Sequence, residues 1–257
     1  MAHFEDTENI PQKRGLFRFL EIFFQNFWRF MLINTVYWLL SIPVITHGMA
    51  CAGMTNVTRN LVRQRHSFGL SDFFETIKKN FKRSLAVGVI NTLIIIVMGY
   101  AIYVYFSSIT HAETPSTFHV VGLLFCILAA IIFAFMQFFI YTLMITFNFN
   151  VKALYKNSFK FVIANLKKNL LCGIFLLCVY AVYIAIPLLF PYWSVLFTVL
   201  LIAFLTLPAF QFLLIHFLTF DNIKKCIIDP YYTEHPDEDI EMRRNMGFEV
   251  PEDKEVL

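Results

Sequence analysis

Long uncharged runs alternate with short basic ones along this chain, and the alternation predicts membrane-crossing helices joined at a polar face. Ser84 to Phe106 is 23 residues without a charged side chain, and Phe118 to Phe147 is 30. Asn169 to Phe190 and Tyr192 to Phe220 form a further pair that turns at Pro187 to Pro191. About 20 apolar residues cross a bilayer core of about 30 Å, so each of these four segments is long enough. Between Arg29 and Arg59 lie 29 uncharged residues interrupted by Pro43. That length accommodates one kinked span, or a tight hairpin with halves of about 21 Å each.

The placement of cations favours the hairpin. All 21 Lys and Arg residues fall in four groups, at 13–29, 59–83, 152–168 and 224–254, and the connectors between paired apolar runs carry none. Cationic loops stay on the cytoplasmic side, and only a two-pass first segment keeps every group there. The expected fold is therefore all-α: a polytopic bundle of six transmembrane helices in three hairpins, over roughly 27–42, 44–62, 84–106, 119–147, 169–190 and 193–220. Both termini are expected to be cytoplasmic. Because the first two halves are short, either Arg29 and Arg59 snorkel or the hairpin is re-entrant, and the parity of crossings is the same.

Between the spans, polar residues recur at helical spacing. Gly15 to Asn26 sets Arg18, Glu21 and Gln25 on one side of a helix expected to lie in the membrane interface. Ser71 is placed to cap a second such helix carrying Lys78, Lys79, Lys82 and Arg83, and Lys152 to Lys168 repeats the arrangement. The words FQNFWRFMLIN at 24–34, IKKNFKRSLAV at 77–87 and LKKNLLCGIFL at 166–176 hint at internal repetition, aligning Asn26, Asn80 and Asn169. Residues 223–257 form a cytoplasmic tail. A short helix is expected near 236–246, with Pro236 and acids at its start and Arg243 and Arg244 at its end.

Composition agrees with a membrane protein: 58% of residues are hydrophobic, 15% are charged and the mean hydropathy is +0.63. A net charge of only +3 gives no footprint for nucleic acid. The five cysteines are isolated and read as packing residues. The opening MAHFEDTENIPQKRG lacks the basic and apolar pattern of a cleaved signal peptide.

Little in the chain points to catalysis. No phosphate-cradling glycine loop, HExxH, GxSxG or metal-spaced Cys and His pairs occur, so neither an enzyme nor a bound cofactor or metal is expected. No Asp or Glu falls in the five longer apolar runs, which argues against a proton- or sodium-coupled carrier. Intramembrane polar candidates are Asn34, His47, Asn91, Gln137, Gln211 and His216, with His47 near the outer turn and His216 towards the inner end. Pro43, Gly48, Ala52 and Gly53 are candidates for close helix packing in the first hairpin. Arg59, Arg63, Lys78, Lys79, Lys82, Lys167 and Lys168 form a candidate docking surface on the inner side.

The stretch SIPVITHGMACAGMTNVTRNLVR, followed by SDFFETIKKNFKRS, resembles the YesL-like family of bacterial integral membrane proteins. The tail IIDPYYTEHPDEDIEMRRNMGFEVPED is similar to the ends of some members, and His47 stands where many carry Ile. The family is a domain of unknown function, often encoded beside carbohydrate ABC importers. The resemblance implies a non-enzymatic accessory or regulatory subunit of oligosaccharide import, partnered by importer subunits and the lipid bilayer. Two alternatives stay open: an autonomous channel or uniporter lined by Asn91, Gln137 and Gln211, and an organiser of anionic lipid built on the basic interfacial helices.

Overall fold

Amphipathic periodicity at the basic segments and unbroken apolarity between them give a chain of helices joined by short turns. The computed structural model describes residues 15–63, 69–111, 116–223 and 225, and every regular element in these is helical. The expected tail helix near 236–246 lies outside the described residues. The elements are α1 (Leu16–Gln25), α2 (Phe27–Ser41), a 3₁₀ turn (Val44–Thr46), α3 (His47–Val62), α4 (Leu70–Thr110), α5 (Thr117–Thr146), α6 (Val151–Ala164), α7 (Leu166–Leu189) and α8 (Trp193–Ile223).

Four of these, α4, α5, α7 and α8, are long and apolar enough to cross a membrane. The first hairpin is different. With 15 and 16 residues, α2 and α3 measure about 22 and 24 Å, short of a core of about 30 Å. At its tip Ile42, Val44 and Ile45 are exposed. Polar groups there bond to one another: Thr46 Oγ1 donates to the carbonyls of Leu40 and Pro43, and Ser41 Oγ meets His47 Nδ1 at 3.1 Å.

One device recurs three times. At Asn26, Asn80 and Asn165 the backbone leaves helical geometry in nearly the same way, with φ/ψ of −107/15°, −111/17° and −118/28°. Each of these asparagines turns its side-chain amide back to the carbonyl four residues earlier, Ile22, Thr76 and Phe161 respectively, at 3.0–3.1 Å. At Asn26 and Asn165 that carbonyl also accepts the residue's own backbone N–H, so the side chain shares an acceptor of the helix ladder at the point where the helix bends. Four, seven and eleven residues past the hinge, equivalent positions are buried: Phe30, Ser84 and Asn169, then Ile33, Val87 and Cys172, then Tyr37, Asn91 and Leu176.

The molecule is thus three units, each with an amphipathic helix, an Asn hinge, an outgoing helix and a return helix. The asparagine hinge recurs where the three similar words hinted at repetition, but in the third word at a different asparagine. The hinge is Asn165, and Asn169 is one turn further on, buried with its amide donating to Val162 O. Two further boundaries differ from expectation. The basic segment and the span after it are one helix, α4, kinked at Asn80. Its N-cap is Gly69, whose positive φ of 68° suits glycine, rather than Ser71.

Each amphipathic helix docks on the return helix of the preceding unit through aromatic rings, and the ring closes on itself. Phe161 of α6 stacks on Phe139 of α5 at 5.4 Å, Phe73 of α4 covers Gly53 of α3, and Phe19 of α1 meets Phe210 and Phe217 of α8 at 5.2 and 5.7 Å. Burial is concentrated at the hinge end. On α4 no residue beyond Asn91 is buried, and on α5 none before Met136.

Candidate functional site

The three return helices meet at one side chain. His216 of α8 is fully buried, with Nδ1 2.6 Å from Phe212 O and 3.2 Å from Thr58 Oγ1 of α3, and Nε2 2.9 Å from Thr142 Oγ1 of α5. A carbonyl only accepts, so Nδ1 carries the proton and Nε2 accepts from the Thr142 hydroxyl. Thr58 and Thr142 each stand four residues before the end of their helix, which fixes the junction at the hinge end of the bundle. Just beyond it, Arg59 donates to Thr146 Oγ1 at 2.7 Å and to Asn56 Oδ1 at 2.9 Å, while Arg83 donates to the carbonyls of Phe147 and Phe149 at 3.2 and 2.6 Å. Arg59 thus holds a side chain of the last turn of α5, and Arg83 satisfies two carbonyls of the segment that follows it.

A second network joins α4, α5 and α6. Asn91 donates to Gln137 Oε1 at 2.9 Å and to Tyr141 OH at 3.2 Å, and its Oδ1 accepts from Tyr155 OH at 2.6 Å. Burial pushes the Tyr155 phenol up to about 12, so it stays protonated and remains the donor. A third cluster lies along the first hairpin, where Cys51 Sγ contacts His47 Nε2 at 3.4 Å and Tyr37 OH at 3.7 Å. Gln211 bonds instead to Tyr180 of α7 at 2.6 Å.

Asn34 bonds the backbone of another helix beside its proline. Pro208 lacks an N–H, so the carbonyl of Phe204 loses its partner within α8, and the indole of Trp38 donates to it at 3.0 Å. Asn34 then spans the next rung, donating to Leu205 O at 2.6 Å and accepting from Ala209 N at 2.9 Å.

Of the polar candidates, Asn91 and Gln137 come together, whereas His47, His216, Asn34 and Gln211 each sit in a separate cluster. Sequence reasoning did not single out Thr58, Thr142, Tyr141 and Tyr155, which complete these clusters. Of the packing candidates, Gly48 approaches most closely: a Cβ there would fall 2.6 Å from Gly88 Cα and against Ser84 O. Gly53 lies under the Phe73 ring, Ala52 is fully buried, and Pro43 caps the 3₁₀ turn.

The basic candidates separate into two sets. Arg59 is turned into the protein, whereas Lys78, Lys79 and Lys82 on α4, Lys152, Lys156 and Lys160 on α6, and Lys167 and Lys168 opening α7 are exposed. Lys79 pairs with Glu75 at 2.7 Å and holds that carboxyl below its ordinary value. This small effect is present at neutral pH and lost as acid protonates the carboxylate. Among the described residues no group of three His, Cys, Asp or Glu side chains is arranged to hold a metal.

These features define a multi-pass α-helical integral membrane protein whose polar side chains tie its helices together at one end. Residues 30–104 match the family model described as "Protein of unknown function, DUF624". No curated protein and no solved structure matches the chain.

Proposed function

We propose that the chain is a non-enzymatic accessory subunit of a larger membrane assembly, and that a carbohydrate ABC-type importer is its partner. The observation that carries this reading is the disposition of the polar groups. Inside the bundle they bond to one another across helices, as at His216, Asn91 and Asn34, while the exposed cations form a broad lysine surface at the hinge end. Such a protein presents a docking face and a rigid frame. The importer as partner is supported by the YesL-like resemblance alone.

In this reading the lysine surface faces the cytoplasm, in keeping with the positive-inside bias, and both termini lie on that side of the cell membrane. Four helices cross. The α2–α3 hairpin enters and returns on the lysine side, supported by its length and its exposed apolar tip. Six expected crossings become four and a re-entrant pair, with parity unchanged.

The test is purification of the tagged chain from its native host in mild detergent. Co-purification of an importer permease or ATPase at stoichiometric yield is expected. Recovery of the chain alone, under conditions that keep an importer intact, would sink the partner assignment.

A further inference from the structure

Charge is divided unevenly between the bundle and the segment that follows it. Residues 226–257 contain ten acidic and three basic residues, a net of −7, and residues 1–225 therefore carry +10. The excess on the bundle side is on show. The eight lysines of α4, α6 and the start of α7 are exposed, and among the described residues of these segments the acids are Asp72 and Glu75. They lie at one end of the molecule, since Arg83, next to the α4 lysines, bonds the carbonyls of Phe147 and Phe149 that lead into α6. The last helix delivers the acidic segment to that same end: His216 is level with Thr58 and Thr142 near the ends of α3 and α5, and α8 ends seven residues later at Ile223.

We infer that the lysine collar is a docking surface for the chain's own acidic segment, centred on Asp237, Glu238, Asp239 and Glu241. These carboxylates stand 12 to 16 residues beyond Lys225, which gives a reach of up to about 40 Å at Asp237 and about 55 Å at Glu241 in extended chain. Tethering holds them at an effective concentration in the millimolar range. Contacts between exposed charges are individually weak and fall away beyond a Debye length of about 8 Å at physiological salt, so the docking is multivalent and salt-sensitive. An acidic segment docked there competes with any other anion for the same lysines, anionic lipid headgroups and acidic partner surfaces included. The inference does not depend on the importer assignment.

The experiment uses the full chain in nanodiscs of phosphatidylcholine, treated with a carbodiimide that condenses a carboxylate and an adjacent amine with loss of water. Mass spectrometry of a mixture of isotope-labelled and unlabelled protein separates intrachain from interchain products. Intrachain links between carboxylates of 229–241 and the α6 and α7 lysines are expected, with a yield at least severalfold lower at about 0.5 M salt than at about 20 mM. Reversing Lys156, Lys160 and Lys167 to Glu lowers the links to the unaltered Lys152 and Lys168 at least severalfold, and adding Asp237→Lys, Glu238→Lys and Asp239→Lys creates salt-sensitive links between the tail lysines and the introduced glutamates. All six positions carry exposed or tail side chains, and gel filtration of each variant checks folding. Absence of such links, links unaffected by reversal, or links that are interchain only would overturn the proposal, the last by assigning the surface to a second copy.

Discussion

Asn34 of α2 occupies the place of a backbone hydrogen bond in α8, accepting from Ala209 N at 2.9 Å and donating to Leu205 O at 2.6 Å. In a regular helix those two groups would bond each other, and the ring of Pro208 beside them disfavours that direct bond. Away from water an unpaired backbone group is expensive, so Asn34→Leu is expected to lower stability by about 1–3 kcal/mol. In a Pro208→Ala background the rung can re-form, and the loss on removing Asn34 should shrink by at least half. Thermal unfolding of the four proteins of this double-mutant cycle in detergent measures the coupling, and additive losses would refute the relationship.

Close approach at Gly48 and Gly88 makes a second expectation. A methyl at Gly48 meets the backbone of α4, which cannot yield as a side chain does, so Gly48→Ala is expected to destabilise by about 1–3 kcal/mol. Gly99, with nothing within 4 Å of a would-be Cβ, is the control: Gly99→Ala should be neutral or slightly stabilising. Equal effects at the two sites, read from melting midpoints, would contradict the packing described.

The junction at His216 predicts a definite tautomer. Nitrogen NMR of labelled protein should show a protonated Nδ1 and an unprotonated Nε2. Thr142→Val leaves Nε2 without its donor and should cost about 1 kcal/mol, and His216→Leu about 1–3 kcal/mol. The reverse tautomer would mean that Thr142 does not donate.

Hinge asparagines act on shape more than on stability. Asn80→Ala removes the bond to Thr76 O and improves helix propensity, two effects that largely offset each other. The kink in α4 should relax. Spin labels at Lys78 and Leu93 should move apart in pulsed dipolar spectroscopy, while an unchanged distance would assign the kink to tertiary packing alone.

Labelling tests whether the first hairpin crosses. In a background with the native cysteines replaced, Ile45→Cys should resist a membrane-impermeant thiol reagent from either side, whereas Tyr192→Cys should react from outside. Rapid outside labelling at residue 45 would show a full crossing.

Much of this architecture is legible in the chain because it follows from solvent. The four long runs, the basic segments between them and the turn at Pro43 reflect what lipid and water each accept, and the helices α4, α5, α7 and α8 follow. Registers were harder. The segment ANLKKNL offers asparagines at 165 and 169, one helical turn apart, and periodicity alone does not say which one breaks the helix. Ser71 has the chemistry of a cap, yet Gly69 takes the role because the chain there needs a positive φ. Partners across helices left no local trace. Nothing near Asn34 announces a proline at 208, and Thr58 and Thr142 are outwardly like any threonine that returns its hydroxyl to its own helix.

In the re-entrant arrangement proposed above, the brevity of the first hairpin gives the molecule a taper. On that reading six helices and three amphipathic segments share the monolayer beside the lysines, and the two long pairs α4–α5 and α7–α8 extend into the other. A wedge of this form displaces more lipid area from one monolayer than from its opposite, and bilayer that bulges towards the lysine side relieves the imbalance.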